Sequence, residues 1–361
     1  MELLDHIYLD LVFYNGEFKN YDINEVEGKF LLSEKVNEGI SLEDFDTGTY
    51  YMFLRSSNKD EEDNDVYKYY VLNNTTKYGE MTYYTLSNKN KKIVINTDDD
   101  YKTLTFNVTE NTDNNIYDIV IDPGHGGMDG GANVGSYKEA DFTIKIANQL
   151  KEKLENKGFK VKLTREDGQL TNNEKLPDYG TNGRAVIAHN VGAKYLFSIH
   201  LNSNAYASVS GVEIYTPEDI NYEFAKNLVN NIVSSTGSKY STNRINKMFD
   251  GIYTRTFTEA DIKSSLKEYE QRNMIAYDIT TNSNYYYMIR ENGGIVTGAY
   301  VDDRNSPKVP GNPYYDSNIG VEAYLLELAY LTNSNDLNNI INNMDKYTDS
   351  ICDSIVNYLN Y

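Results

Sequence analysis

Short runs rich in β-branched and aromatic residues fill the first 112 positions: "TGTYYMFLRSS", "DVYKYYVLNN", "MTYYTL", "KKIVINT" and "KTLTFNV", separated by clusters of Asn, Asp, Gly and Ser. Runs of this length, broken by turn residues at this spacing, predict a small all-β domain over residues 1–112, in the manner of a sandwich or barrel. The polar, aperiodic stretch "TENTDNN" at 109–115 reads as a linker. From Ile116 the pattern changes. Continuous apolar runs, "IYDIVID", "FKVKLT", "KYLFSIH", "GVEIYT" and "AYLLELAYL", now alternate with segments of helical period. Between the first two lies "KEADFTIKIANQLKEKLENKG", with Ile146, Ala147, Leu150 and Leu154 at helical spacing and Gly158 as a stop. Strand, helix, strand in this order predicts an α/β domain over residues 116–361, a mostly parallel sheet with flanking helices. Its last segment carries Met344, Tyr347, Ile351, Ile355 and Tyr358 on one face and reads as an amphipathic helix packed on the sheet. Cys352 flanks that stripe and reads as a small core residue.

Charge and length narrow the function classes. The chain has 361 residues, with 34 Lys and Arg against 54 Asp and Glu, a net charge of -20. That balance argues against a partner held by phosphate contacts, and so against nucleic acid. A single cysteine rules out an internal disulfide framework. The first residues, "MELLDHIYLDLVFYNGEF", lack the basic region of a signal peptide, and no run approaches the roughly 20 apolar residues of a membrane span.

Candidate chemistry gathers where α/β sheets bind ligands, beyond the carboxyl ends of the strands. His125 follows "IYDIVID" inside the glycine-rich "DPGHGGMDGGA", His200 ends "KYLFSIH", and Glu327 lies within "AYLLELAYL". A catalytic zinc takes three N or O ligands and keeps a fourth position open. Two histidines are in place for that role, and Glu139 is the candidate third ligand, on the helix face that also carries residues 143, 146, 150 and 154. The competing reading pairs Ser136 with Glu139 as a helix-capping box. A glycine-flanked His125 also reads as a plain loop residue, His200 as a satisfied histidine at a strand end, and Glu327 as an exposed strand residue. Its apolar neighbours Leu325, Leu326, Leu328 and Ala329 weigh against exposure, and a buried carboxylate is either near a cation or tuned for proton transfer.

"IVIDPGHGGMDGGA", the "KEADFTIKIANQL" helix, "KVKLTRE", "GRAVIAHNVGAKYLFSIHLNSN", "GVEIYT" and "AYLLELAYLTN" together resemble the zinc-dependent N-acetylmuramoyl-L-alanine amidases of bacterial wall remodelling, over residues 118 to 358. The resemblance implies one Zn2+ per domain held by His125, Glu139 and His200, with Glu327 as the catalytic carboxylate beside it. Arg184 and Asn202 match further positions of the family pattern, in supporting roles. It also implies peptidoglycan as substrate, cut between the lactyl group of N-acetylmuramic acid and L-alanine, at an extracellular or cell-wall location. One departure is the closing motif, where "ELAYLTN" puts Leu328 and Ala329 where the family commonly has Gly-Phe. Another is the long segment between "GVEIYT" and the last strand, read as an ordinary surface excursion or as a substrate groove or lid. Rival readings are a binder of wall glycopeptide that does not cut it and a zinc peptidase acting within the stem peptide, although H-E-x-x-H is absent. The β-domain lies outside the resemblance and offers wall attachment, docking to a regulator, or occlusion of the site.

Overall fold

The computed structural model describes residues 9–15, 23–25, 42–43, 45–60, 62–71, 81–97, 104–177, 183–217, 220, 222–271, 280–292 and 321–359. The chain divides into two compact units, Met1–Asn114 and Asn115–Tyr361.

The first unit holds β1 (Leu9–Asn15), β2 (Ile23–Glu25), β3 (Gly48–Lys59), β4 (Asp65–Val71), β5 (Met81–Tyr84), β6 (Lys91–Thr97) and β7 (Leu104–Glu110). They form one seven-stranded sheet in the order β2-β4-β3-β7-β6-β5, with β1 also paired to β3. Apart from β2 on β4, every pairing is antiparallel. Inward-facing Ile93 and Ile95 on β6 meet Phe106 and Val108 on β7 and Met52 on β3 in one apolar cluster, as the two-residue period of these strands requires.

The second unit begins with β8 (Ile119–Pro123), the hairpin of β9 (Asn133–Val134) and β10 (Tyr137–Lys138), α1 (Glu139–Glu155) and β11 (Val161–Leu163). A short 3-10 turn at Arg184–Val186 leads into α2 (Ile187–Asn190), followed by β12 (Tyr195–Asn202), β13 (Glu213–Tyr215), α3 (Glu223–Thr236), β14 (Lys247–Phe249), β15 (Ile252–Tyr253) and α4 (Glu259–Gln271). The unit closes with α5 (Tyr287–Asn292), β16 (Glu322–Tyr330) and α6 (Ser334–Tyr358). Its sheet runs β11-β8-β12-β16-β13-β15-β14. The four strands from β11 to β16 are parallel, and β13 turns antiparallel to β16. The mostly parallel sheet predicted from the apolar runs is therefore present, with a reversal at "GVEIYT".

All five residues of β8 are buried, as are eight of the nine in β16, which explains their unbroken apolar character. On one face α6 packs against both α1 and α3. Ile146, Ala147, Leu150 and Leu154 of α1 and Tyr347, Ile351 and Ile355 of α6 are all buried at helical spacing. Cys352 is buried among them, and Tyr358, at the end of α6, is partly exposed with its ring packed against Phe224. On the other face Val120, Leu196 and Ala323 pack against Ala185, Ala188 and Met288. Met288 belongs to the long segment read as a surface excursion, groove or lid; from residue 293 to 320 that segment lies outside the described residues.

Candidate metal centre

Strand register sets the site. His200 on β12 pairs with Glu327 on β16, and Glu327 pairs with Glu213 on β13. Partners across neighbouring strands point to the same face, so these three side chains form a row at the carboxyl end of the parallel strands. His125 enters from the loop after β8, and Glu139 from the first position of α1.

These residues converge. His125 Nε2 is 3.1 Å from Glu139 Oε2, and His200 Nδ1 is 2.9 Å from Glu139 Oε1. One ligand atom from each of His125, Glu139 and His200 lies within 4.8 Å of the others. Ligands about 2.0–2.1 Å from a tetrahedral zinc stand roughly 3.3 Å apart, so this donor set of two imidazoles and a carboxylate fits the ion with small adjustments.

The capping-box reading of Glu139 is not realised. Ser136 sits in the β9–β10 turn, the N-cap of α1 is Lys138, and no side chain caps the helix. The Glu139 carboxylate instead accepts from the backbone N–H groups of Ala132 at 2.9 Å and Leu201 at 3.0 Å and faces both imidazoles. Burial pushes this carboxyl toward protonation, but hydrogen bonds from His125 and His200 prevail and hold it well below the usual carboxylate range.

The backbone around His125 is built for close approach. His125 has φ 61, in the left-handed region that costs a non-glycine residue free energy. A Cβ on Gly124 would lie 2.3 Å from the His200 ring, and one on Gly131 would lie 2.5 Å from Glu139 Oε2. Both glycines leave space for the side chains of His200 and Glu139.

Two buried arginines hold the loop. Arg184 Nη2 donates to the His125 carbonyl at 2.5 Å while its Nε stands 3.0 Å from Asp122 Oδ1. Asp122, fully buried, also accepts from Ser198 Oγ at 2.6 Å and Thr164 Oγ1 at 2.5 Å. Arg165 donates to the carbonyls of Pro123 at 3.0 Å and of Gly124 and Ala140 at 3.1 Å. Burial and the neighbouring Arg184 bring its guanidinium down to about 10. Asp129 Oδ2 accepts from His125 Nδ1 at 3.0 Å and so fixes the orientation of the ring. Burial lowers the proton affinity of His125, but Glu139 and Asp129 outweigh it and raise it.

Glu327 is only 9% exposed, and its Oε2 has no hydrogen-bond partner among the described residues. Burial, with the charges of Glu139 and Glu213, raises its carboxyl well above the usual carboxylate range. It is buried inside β16, which removes the exposed-strand reading.

The N-acetylmuramoyl-L-alanine amidase family profile matches residues 119–357. The chain belongs to this family. Among relatives, the N-acetylmuramoyl-L-alanine amidase AmiA of Escherichia coli K12 is 28% identical over 176 residues, 48% of this chain and 54% of that one. The germination-specific N-acetylmuramoyl-L-alanine amidase of Bacillus subtilis is 32% identical over 108 residues, 27% of this chain and 44% of its own. The chain thus spans about half the length of these relatives. The solved catalytic domain of the Paenibacillus polymyxa amidase CwlV aligns with a TM-score of 0.44 and 22% identity, covering 68% of this chain and 99% of that one.

Within this family domain, the sequence reading singled out His125, Glu139, His200, Glu327, Arg184 and Asn202. The structure brings the first five to one locus, and Asn202 stands at the end of β12 with its Nδ2 donating to Glu213 at 3.0 Å. Asp122, Asp129, Arg165 and Glu213 were missed. Glu213 carried the same signal as Glu327, an acid inside an apolar strand, and Asp129 lay in the glycine-rich stretch already under scrutiny.

Proposed function

We propose that this chain hydrolyses the amide between the lactyl group of N-acetylmuramic acid and the L-alanine of peptidoglycan stem peptides, with one zinc ion bound by His125, Glu139 and His200. The observation that carries the reading is the convergence of these three donors beside the buried, unpartnered Glu327 Oε2, inside a domain of the amidase family. Bound there, zinc supplies a Lewis acid that polarises a carbonyl oxygen and brings water ionisation near neutral pH.

The protein's own groups supply the rest. Asp129 fixes the His125 ring through Nδ1 and leaves Nε2 turned toward Glu139. Glu327, in its carboxylate form, takes a proton from the attacking water through Oε2 and delivers it to the departing L-alanine nitrogen; burial gives it a higher affinity for that proton than an exposed carboxylate has.

The site of action on this reading is the cell wall; no helix among the described residues is long and apolar enough to cross a membrane. We further assign catalysis to residues 116–361 and an accessory role, in wall attachment, docking to a regulator or occlusion of the site, to residues 1–112. The test is digestion of purified peptidoglycan with and without a chelator, followed by mass spectrometry of the new amino groups. Alanine N-termini that vanish with chelator and return with zinc are expected. New N-termini within the stem peptide, or intact sacculi that merely retain the protein, would overturn the reading.

A further inference from the structure

Glu213 has no part in the chemistry above, yet it is fully buried in the strand next to Glu327. Four donors converge on its carboxylate. Oε1 accepts from Ser241 Oγ at 2.6 Å and from the Tyr330 hydroxyl; Oε2 accepts from Asn202 Nδ2 at 3.0 Å and from the Tyr215 hydroxyl at 2.8 Å. These donors come from the end of β12, from β13, from the end of β16 and from the segment after α3. Four donors fill the lone-pair directions of a carboxylate.

Glu327, one strand away, is the converse case. Its Oε2 is buried without a partner among the described residues. Tyr215 lies two residues along β13 from Glu213, the cross-strand partner of Glu327, and Tyr330 ends the strand that carries Glu327. Both hydroxyls donate to Glu213 while the Glu327 oxygen stays unpaired, although leaving such an atom unpaired is costly. Glu213 is the acceptor that holds them.

We propose that Glu213 is a positioning residue for the amide hydrolysis: by engaging Tyr215, Tyr330 and Asn202 it keeps their donors off Glu327 and leaves Glu327 Oε2 open to the reacting water. The same bonds tie together the strand ends that carry His200 and Glu327. This rests on the amidase reading above. In Glu213→Gln the side-chain oxygen takes only part of the donor set, and the amide N–H group adds a donor of its own. The released hydroxyls then turn to Glu327.

The experiment measures kcat, KM, bound zinc and melting temperature for the full-length zinc-loaded wild type, E213Q, E327Q and E213Q/E327Q, on one muropeptide substrate. For E213Q we expect kcat to fall by on the order of 10-fold or more, with KM and zinc content unchanged. In the E327Q background the same substitution has no further effect, because its influence passes through Glu327. Should circular dichroism show E213Q unfolded, Glu213→Asp, which keeps the acceptor but withdraws it by one methylene, replaces it with the same expectations. E213Q turning over at the wild-type rate, KM or zinc moving together with kcat, or an undiminished effect in the E327Q background would each overturn the inference while leaving the amidase reading standing. A wild type that releases no alanine N-termini overturns that reading and this inference with it.

Discussion

At the scale of single residues, the site depends on backbone as much as on ligands. A Cβ at Gly124 would meet the His200 ring at 2.3 Å, so G124A is expected to bind zinc below one ion per chain, read by metal analysis after gel filtration. Arg184 acts on the other imidazole, through the His125 carbonyl. R184A is expected to weaken zinc binding roughly 10- to 100-fold in competition with a chromophoric chelator, the usual cost of removing a group that orients a metal ligand. Wild-type affinity would show that the left-handed turn at His125 holds without its clamp. The metal-type residues were legible in the sequence because His125, His200 and Glu139 sit in unusual company: glycines, a strand end, an apolar helix face. Arg165 and Asp122 were not, since a buried arginine held by backbone carbonyls and a buried acid paired with Arg184 leave no periodic trace.

At the scale of elements, the register of parallel strands turns sequence-distant residues into neighbours. His200 and Glu327 are paired because β12 and β16 run side by side, and Glu213 joins them through the antiparallel β13. The parallel strands and α1 were legible from unbroken apolar runs and a 3.6-residue period. The reversal at β13 was not, because three buried residues carry no mark of strand direction. α1 is anchored at its far end by Leu150 and Leu154, both fully buried. Leu150→Ala is expected to destabilise the second unit by about 2–5 kcal/mol, measured by chemical denaturation, while a sample kept below its transition retains zinc. Loss of zinc from such a folded sample would mean that core packing of α1, and not Glu139 alone, fixes the ligand geometry.

At the scale of the whole molecule, the two units differ in what they owe to metal. The three proposed ligands all belong to Asn115–Tyr361. Calorimetry of the full chain is expected to show a transition that rises with zinc at about 100 times its dissociation constant by about 2.7 kcal/mol, roughly 5–10 °C. The transition of the N-terminal β-sheet unit should stay where it is; a shift of both would give that unit a share in the metal. On the proposed reading, a net charge of -20 gives no bulk attraction to an anionic wall, and the hold on such a substrate would come from local contacts. The most direct test of the account is E327Q, assayed for zinc and for release of alanine N-termini in the same preparation. One zinc per chain is expected, with turnover lower by about 10²- to 10⁴-fold; cleavage at the wild-type rate would show that Glu327 does not carry the proton.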